Sequence, residues 1–79
     1  MPFPKSEQEW ADRVRSYLKA RLRERGVGYA ELAEKMKKLG FEETVPAITN
    51  KLKRGTFSAT FFLAALAAIG VNEVRIRDV

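Results

Sequence analysis

The sequence predicts an all-α fold, a small bundle of about four helices that is followed by a short C-terminal β-strand. Apolar residues recur every three or four positions over much of the chain, which is the spacing of one helix face. Residues 56–72, TFSATFFLAALAAIGVN, contain no charged residue, although charged residues are frequent elsewhere. Glycines and capping residues separate the segments. We therefore expect one domain over residues 1–79, with helices at about 6–25, 29–39, 44–54 and 58–69.

The first predicted helix begins with a capping box, in which Ser6 caps the helix and the Glu9 side chain reaches back. Its buried face is predicted to carry Trp10, Val14, Leu18 and Leu22. On another face, Arg15, Lys19 and Arg23 lie four positions apart, where like charges cost a few tenths of a kcal/mol. Contact with an anionic partner explains this stripe, and a tolerated solvent-exposed face explains it equally well.

The second and third helices are separated by Gly40, and Gly55 ends the third. The second is predicted to turn Leu32, Ala33, Met36 and Leu39 inward. Thr44 is the expected N-cap of the third helix, whose first turn tolerates Pro46. The inner face of this helix is predicted to carry Val45, Ile48 and Leu52, and the opposite face Pro46, Thr49, Asn50 and Lys53.

Residues 56–72 predict a fourth helix that is buried on all sides, because its apolar residues are spread around the whole circumference. Ser58 is the expected N-cap. Phe57 and Phe62 have the spacing of a hydrophobic staple, and Gly70 stands where the helix ends. The stretch is too short to cross a bilayer, which takes about 20 apolar residues.

The tail changes to a period of two. Charged and apolar residues alternate along Glu73, Val74, Arg75, Ile76 and Arg77, which is typical of a strand. A lone strand is not stable in water, and no other segment is strand-like. We therefore expect this strand to pair with the same strand of a second copy in a homodimer.

Composition narrows the classes of function. The chain of 79 residues contains neither cysteine nor histidine, so we expect no disulfide, no metal site, no cofactor and no enzymatic activity. The N-terminus has no apolar segment typical of a signal peptide, and a reducing cytoplasm fits the absence of cysteine. The formal net charge of +5 favours an anionic partner, most often nucleic acid.

The chain carries, in order, Arg23 to Gly26, Leu32-Ala33, Ile48 to Gly55 and Ile69-Gly70-Val71. Together these motifs resemble the helix-turn-helix domain of lambda-repressor-like (Cro and C1 type) transcriptional regulators. The segment from Asn50 to Ser58 also resembles, more closely, the signature of a small bacterial family catalogued as a domain of unknown function. One departure is the spacing between helices two and three. Leu32 and Ile48 lie sixteen positions apart, so the second helix or the turn after it is lengthened. A tight helix-turn-helix has a turn of only about 3–4 residues.

The resemblance implies a DNA-binding protein, a transcriptional regulator or accessory factor of the bacterial cytoplasm that associates with the nucleoid. The third helix would enter the major groove, with Pro46, Thr49 and Asn50 nearest the base edges. The expected phosphate contacts are Lys51, Lys53, Arg54 and Thr56, and the stripe of Arg15, Lys19 and Arg23 is a possible second set. In a homodimer joined through the tail, two such helices would lie about 34 Å apart.

A second hypothesis is a protein–protein interaction module on the same fold that does not read DNA. The long connection before the third helix favours this module, whereas the basic end of the third helix favours DNA. RNA also stays open as a partner, because phosphate contacts alone do not distinguish it from DNA.

Overall fold

The computed structural model describes residues 2–79 and contains four α-helices, α1 (Glu7–Glu24), α2 (Tyr29–Lys37), α3 (Val45–Arg54) and α4 (Ala59–Ala68). One turn of 3-10 helix, Ile76–Asp78, follows near the C-terminus. The prediction of a small helical bundle agrees with this architecture. The observed helix ends differ from the predicted ends by no more than two residues.

Hydroxyl side chains cap three of the helices. Ser6, Thr44 and Ser58 each accept a hydrogen bond from the backbone N–H three residues later, which satisfies one of the amides that a helix start leaves unpaired. The Glu9 carboxylate accepts from the backbone N–H of Lys5 at 2.9 Å, one residue before the expected partner Ser6. The caps explain why the helices begin where the sequence predicts.

The core lies where α1 and α2 each pack against both α3 and α4. Large aliphatic side chains in it are almost fully removed from water, and burying each stabilises the fold by about 1.5–3 kcal/mol. The buried cluster consists of Tyr17, Leu18, Leu22, Leu32, Met36, Ile48, Leu52, Phe61, Ala65, Leu66 and Ile69. On the first three helices, the predicted inner faces supply Leu18, Leu22, Leu32, Met36, Ile48 and Leu52. Tyr17 joins the core from outside the predicted face of α1.

The prediction that the fourth helix is buried on all sides is wrong. Phe61, Ala65 and Leu66 face the core, but the Leu63 side chain is 59% exposed. The reason is that, within residues 2–79, the backbone of α4 approaches closely only that of α1 and α2, so the side that carries Leu63 stays exposed. Three residues predicted to point inward on other helices are also exposed, namely Trp10, Leu39 and Val45.

The predicted C-terminal strand is wrong as well. Within residues 2–79 no strand is present, and the segment Glu73, Val74, Arg75, Ile76, Arg77 runs from irregular backbone into the 3-10 turn. The backbone N–H of Asp78 donates to the carbonyl of Arg75, and that of Val79 donates to Ile76. Val74 and Val79 pack on the core of their own chain. Side-chain alternation does not specify a strand when the backbone bonds locally and the apolar residues have a core beside them.

Candidate nucleic-acid interface

The outer face of α3 carries the residues that were predicted to approach the bases. Pro46, Asn50 and Lys53 follow one another at intervals of four and three, which aligns them along one side of a helix. All three are exposed, as is Thr49 beside them. Ile48 and Leu52 on the opposite side are completely buried, so the orientation of this face toward solvent is fixed by the core.

The polar side chains on this face differ in which of their hydrogen-bonding groups are free to bind a ligand. The Asn50 side-chain amide has no hydrogen-bond partner within residues 2–79, so both its donor and its acceptor face water. The Thr49 hydroxyl donates to the carbonyl of Val45 at 2.8 Å. Its oxygen still accepts, so Thr49 is suited to a donor on a ligand.

The three cations in the last turn of α3 have different surroundings. Lys53 and Arg54 are exposed, and neither forms an ion pair in the described part of the chain. Lys51 lies further around the helix, where its Nζ is 2.6 Å from Oε2 of Glu43. The same Nζ lies 4.5 Å from the centroid of the Phe61 ring on α4. Lys51 is therefore engaged within the protein, whereas Lys53 and Arg54 face solvent.

The C-terminal end of α3 is anchored directly on α1. The Arg15 side chain donates from Nη1 to the carbonyl of Lys53 at 2.9 Å and pairs through Nη2 with Asp12. Gly55, which ends α3, has a left-handed φ of +71°, and a Cβ placed there would lie 2.5 Å from the backbone oxygen of Ala11. A glycine is needed here for both the conformation and the close approach.

Arg15 joins the two basic sets that the sequence predicted separately, because it belongs to the α1 stripe and bonds the end of α3. The other members of the stripe, Lys19 and Arg23, are exposed and line a cleft beside Tyr29 at the start of α2. Arg21 lies over the ring of Tyr17 and pairs with Glu24. The neighbouring Tyr17 side chain, and then Glu24, raise the pKa of Arg21. Arg21 is thus held within α1.

Thr56 lies in a groove between the first half of α1 and the connection from α3 to α4. Trp10, Val14 and Phe57 line the same groove, and so does Glu7. A carboxylate at this position opposes an anion through charge repulsion. The electrostatics here therefore suit a phosphate less well than those around Lys53 and Arg54.

The connection from α2 to α3 takes the seven residues 38–44, about twice the length of a tight helix-turn-helix turn. Gly40 adopts φ +89°, and the N–H of Phe41 donates back to the carbonyl of Met36, which closes the end of α2. Glu43 lies near the end of the connection, with its side chain only 8% exposed.

Sequence reasoning missed two residues of this region. Glu43 was not singled out from the sequence, and Gly55 was predicted only as the end of the third helix. No period in the sequence signals the contact of Glu43, because it joins a residue of the connection to Lys51, eight positions later in α3. The only sequence signal for the close approach of Gly55 to Ala11 was the presence of a glycine at this position.

Among residues 2–79, no group of three or more histidine, cysteine, aspartate and glutamate side chains is arranged to hold a metal ion. The same range contains no helix with the length and apolar character that crossing a membrane requires.

Comparison with known protein families finds a match over most of the chain. The family described as a domain of unknown function (DUF6471) matches residues 10–74, which include all four helices except the first turn of α1. No curated protein matches the chain. No solved structure matches it either, so the resemblance to lambda-repressor-like domains stays a prediction. Because the match spans most of the sequence, the chain belongs to the DUF6471 family of domains of unknown function.

Proposed function

We propose that this protein binds DNA by placing α3 in the major groove, as a transcriptional regulator or accessory factor. One observation carries the proposal, namely that the solvent face of α3 presents an unpaired amide, Asn50, beside two unpaired cations, Lys53 and Arg54. Helix α3 contains no acidic residue. An exposed asparagine amide suits bidentate bonding to adenine, and exposed cations beside it suit the phosphates along the groove.

In this arrangement Pro46, Thr49 and Asn50 face the base edges, while Lys53 and Arg54 neutralise phosphates. Lys19 and Arg23 supply a second set of phosphate contacts, because they are exposed on the helix that holds the end of α3. The long α2–α3 connection does not leave α3 loosely held, since Arg15 and the close approach of Gly55 to Ala11 fix its C-terminal end on α1.

The homodimer stays a prediction, and the tail strand on which it rested is absent from the described residues. A monomer contacts one half-site and reads fewer bases, so sequence-specific binding by one copy is expected to be weak. An accessory factor that binds DNA together with a partner fits a single copy of this surface.

The alternative function is a protein–protein interaction module. Its specific support is the uncovered side of α4, where Leu63 is 59% exposed and no charged residue occurs along the helix. An exposed apolar face is a common feature of protein contact sites. The two functions predict different surfaces, α3 for DNA and α4 for a protein.

Fluorescence anisotropy of a labelled random duplex tests the proposal. Four phosphate contacts from Lys53, Arg54, Lys19 and Arg23 predict a slope of about −3.6 for log K against log salt. The double variant K53A/R54A removes two of them. It is expected to lower the magnitude of the slope by about 1.8, which corresponds to roughly twelvefold less loss of affinity between about 50 and 200 mM salt.

The matched control is R75A/R77A, which removes the same charge from two exposed residues of the tail. It is expected to keep the slope of the unchanged protein. Absence of binding at about 50 mM salt by folded protein would overturn the proposal. Equal effects of the two double variants would also overturn it, because they would indicate a net-charge effect without a defined surface.

A further inference from the structure

Lys51 differs from its neighbours in its position around α3. With about 100° between successive residues, Lys51 lies roughly 130° from the centre of the face formed by Pro46, Asn50 and Lys53. Its side chain is nevertheless 37% exposed, so solvent reaches it. Lys51 is therefore at the border between the core and the proposed DNA-binding face, within reach of either.

The contacts of Lys51 hold it on the core side. Its Nζ is 2.6 Å from Oε2 of Glu43 and lies over the ring of Phe61, with 4.5 Å to the ring centroid. A cation over an aromatic face is attracted by the ring quadrupole, most strongly when water is partly excluded. Both partners thus draw the ammonium group away from the outer face of the helix.

Glu43 depends on this contact more than Lys51 does. Its side chain is 8% exposed, and its Oε1 atom is buried without a hydrogen-bond partner in the described part of the chain. A carboxylate that is both buried and unpaired is strongly unfavourable. A DNA phosphate therefore cannot take Lys51 from Glu43 without leaving that carboxylate uncompensated.

We propose that Glu43 is an internal counter-ion that withholds Lys51 from DNA and so limits binding that is independent of sequence. This inference rests on the proposed DNA binding. Sequence-independent affinity grows with the number of phosphate contacts, whereas discrimination comes from base contacts. Keeping Lys51 away from the phosphates lowers the sequence-independent affinity and leaves the base contacts of Thr49 and Asn50 unchanged. Glu43 is thus a specificity-determining residue that acts through Lys51.

The test measures the salt dependence of binding to a random duplex for E43Q, with E42Q as the matched control. Glu42 is the exposed neighbour, and its replacement changes the net charge equally. In E43Q the released Lys51 adds one phosphate contact, so the slope is expected to steepen by about 0.9. Between about 50 and 200 mM salt the affinity then falls roughly 3.5-fold more than in E42Q.

The double variant E43Q/K51M is expected to return to the slope of the unchanged protein, because the released cation is no longer there. A role of Glu43 in stability alone does not produce a steeper slope that a second substitution reverses. Glu43→Met provides the same release without a buried polar group. All variants are compared at a temperature at which circular dichroism gives full helix content for each.

The outcomes separate the two claims. If the unchanged protein does not bind the duplex, DNA binding fails and this inference fails with it. If it binds with a steep salt dependence but E43Q and E43M match E42Q, the inference alone is overturned. The same holds if E43Q/K51M keeps the steeper slope of E43Q.

Discussion

Gly55 combines a left-handed backbone conformation with a close approach to the backbone of another helix. Its φ of +71° is left-handed, and its Cα faces the backbone of Ala11 so closely that a Cβ would lie 2.5 Å from the oxygen. The φ value alone costs about 1–2 kcal/mol for a residue with a side chain. The contact adds to this cost, because backbone atoms of α1 cannot move aside without disturbing the helix.

We therefore expect Gly55→Ala to lower the free energy of unfolding by about 3 kcal/mol, measured by urea denaturation. Gly26→Ala is the matched control, since Gly26 has φ +65° with nothing within 4 Å of a Cβ. It is expected to cost only about 1 kcal/mol. Equal losses in the two variants would contradict the close approach of α3 to α1.

Single residues on the candidate interface were predictable to different degrees. The solvent-facing positions of Asn50 and Lys53 were predictable because helical spacing puts these residues opposite Ile48 and Leu52. The pairing of Lys51 with Glu43 was not, because the contact depends on how the long connection folds back. Only the packed structure brings that connection and Phe61 to the same side of α3.

At the scale of elements, the helices were predictable because each has local signals that agree. Ser6, Thr44 and Ser58 mark helix starts through side-chain chemistry that acts within three residues. The burial of α4 was not predictable in this way, since an apolar circumference does not say how many neighbours a helix has. The strand prediction for the tail was wrong for a related reason, because Val74 and Val79 pack on the core of their own chain and need no strand partner.

The uncovered side of α4 gives a prediction about this element. Leu63→Lys is expected to change the free energy of unfolding by no more than about 0.5 kcal/mol, because Leu63 is 59% exposed. Leu66→Lys is the contrasting variant, and it is expected to prevent stable folding because Leu66 is 1% exposed. Thermal unfolding followed by circular dichroism measures both. A large loss of stability in the Leu63 variant would mean that this side of α4 is covered in solution.

At the scale of the whole molecule, α1 and α3 together form one basic surface. The net charge of +5 predicted an anionic partner but not where it binds. Arg15 supplies the location, because it links the α1 stripe to the exposed cations of α3 through the carbonyl of Lys53. The uncharged side of α4 lies on an element that α3 does not contact through its backbone, so the two candidate surfaces are separable by experiment.

Binding of DNA through α3 is tested by an NMR titration of the ¹⁵N-labelled protein with a short random duplex at about 50 mM salt. We expect the shifts to concentrate on the backbone amides of Thr49, Asn50, Lys53 and Arg54 and on the side-chain amide of Asn50. Smaller shifts are expected near Lys19 and Arg23. Absence of shifts, or shifts confined to α4 and the tail, would contradict the claim that α3 is the DNA-binding element.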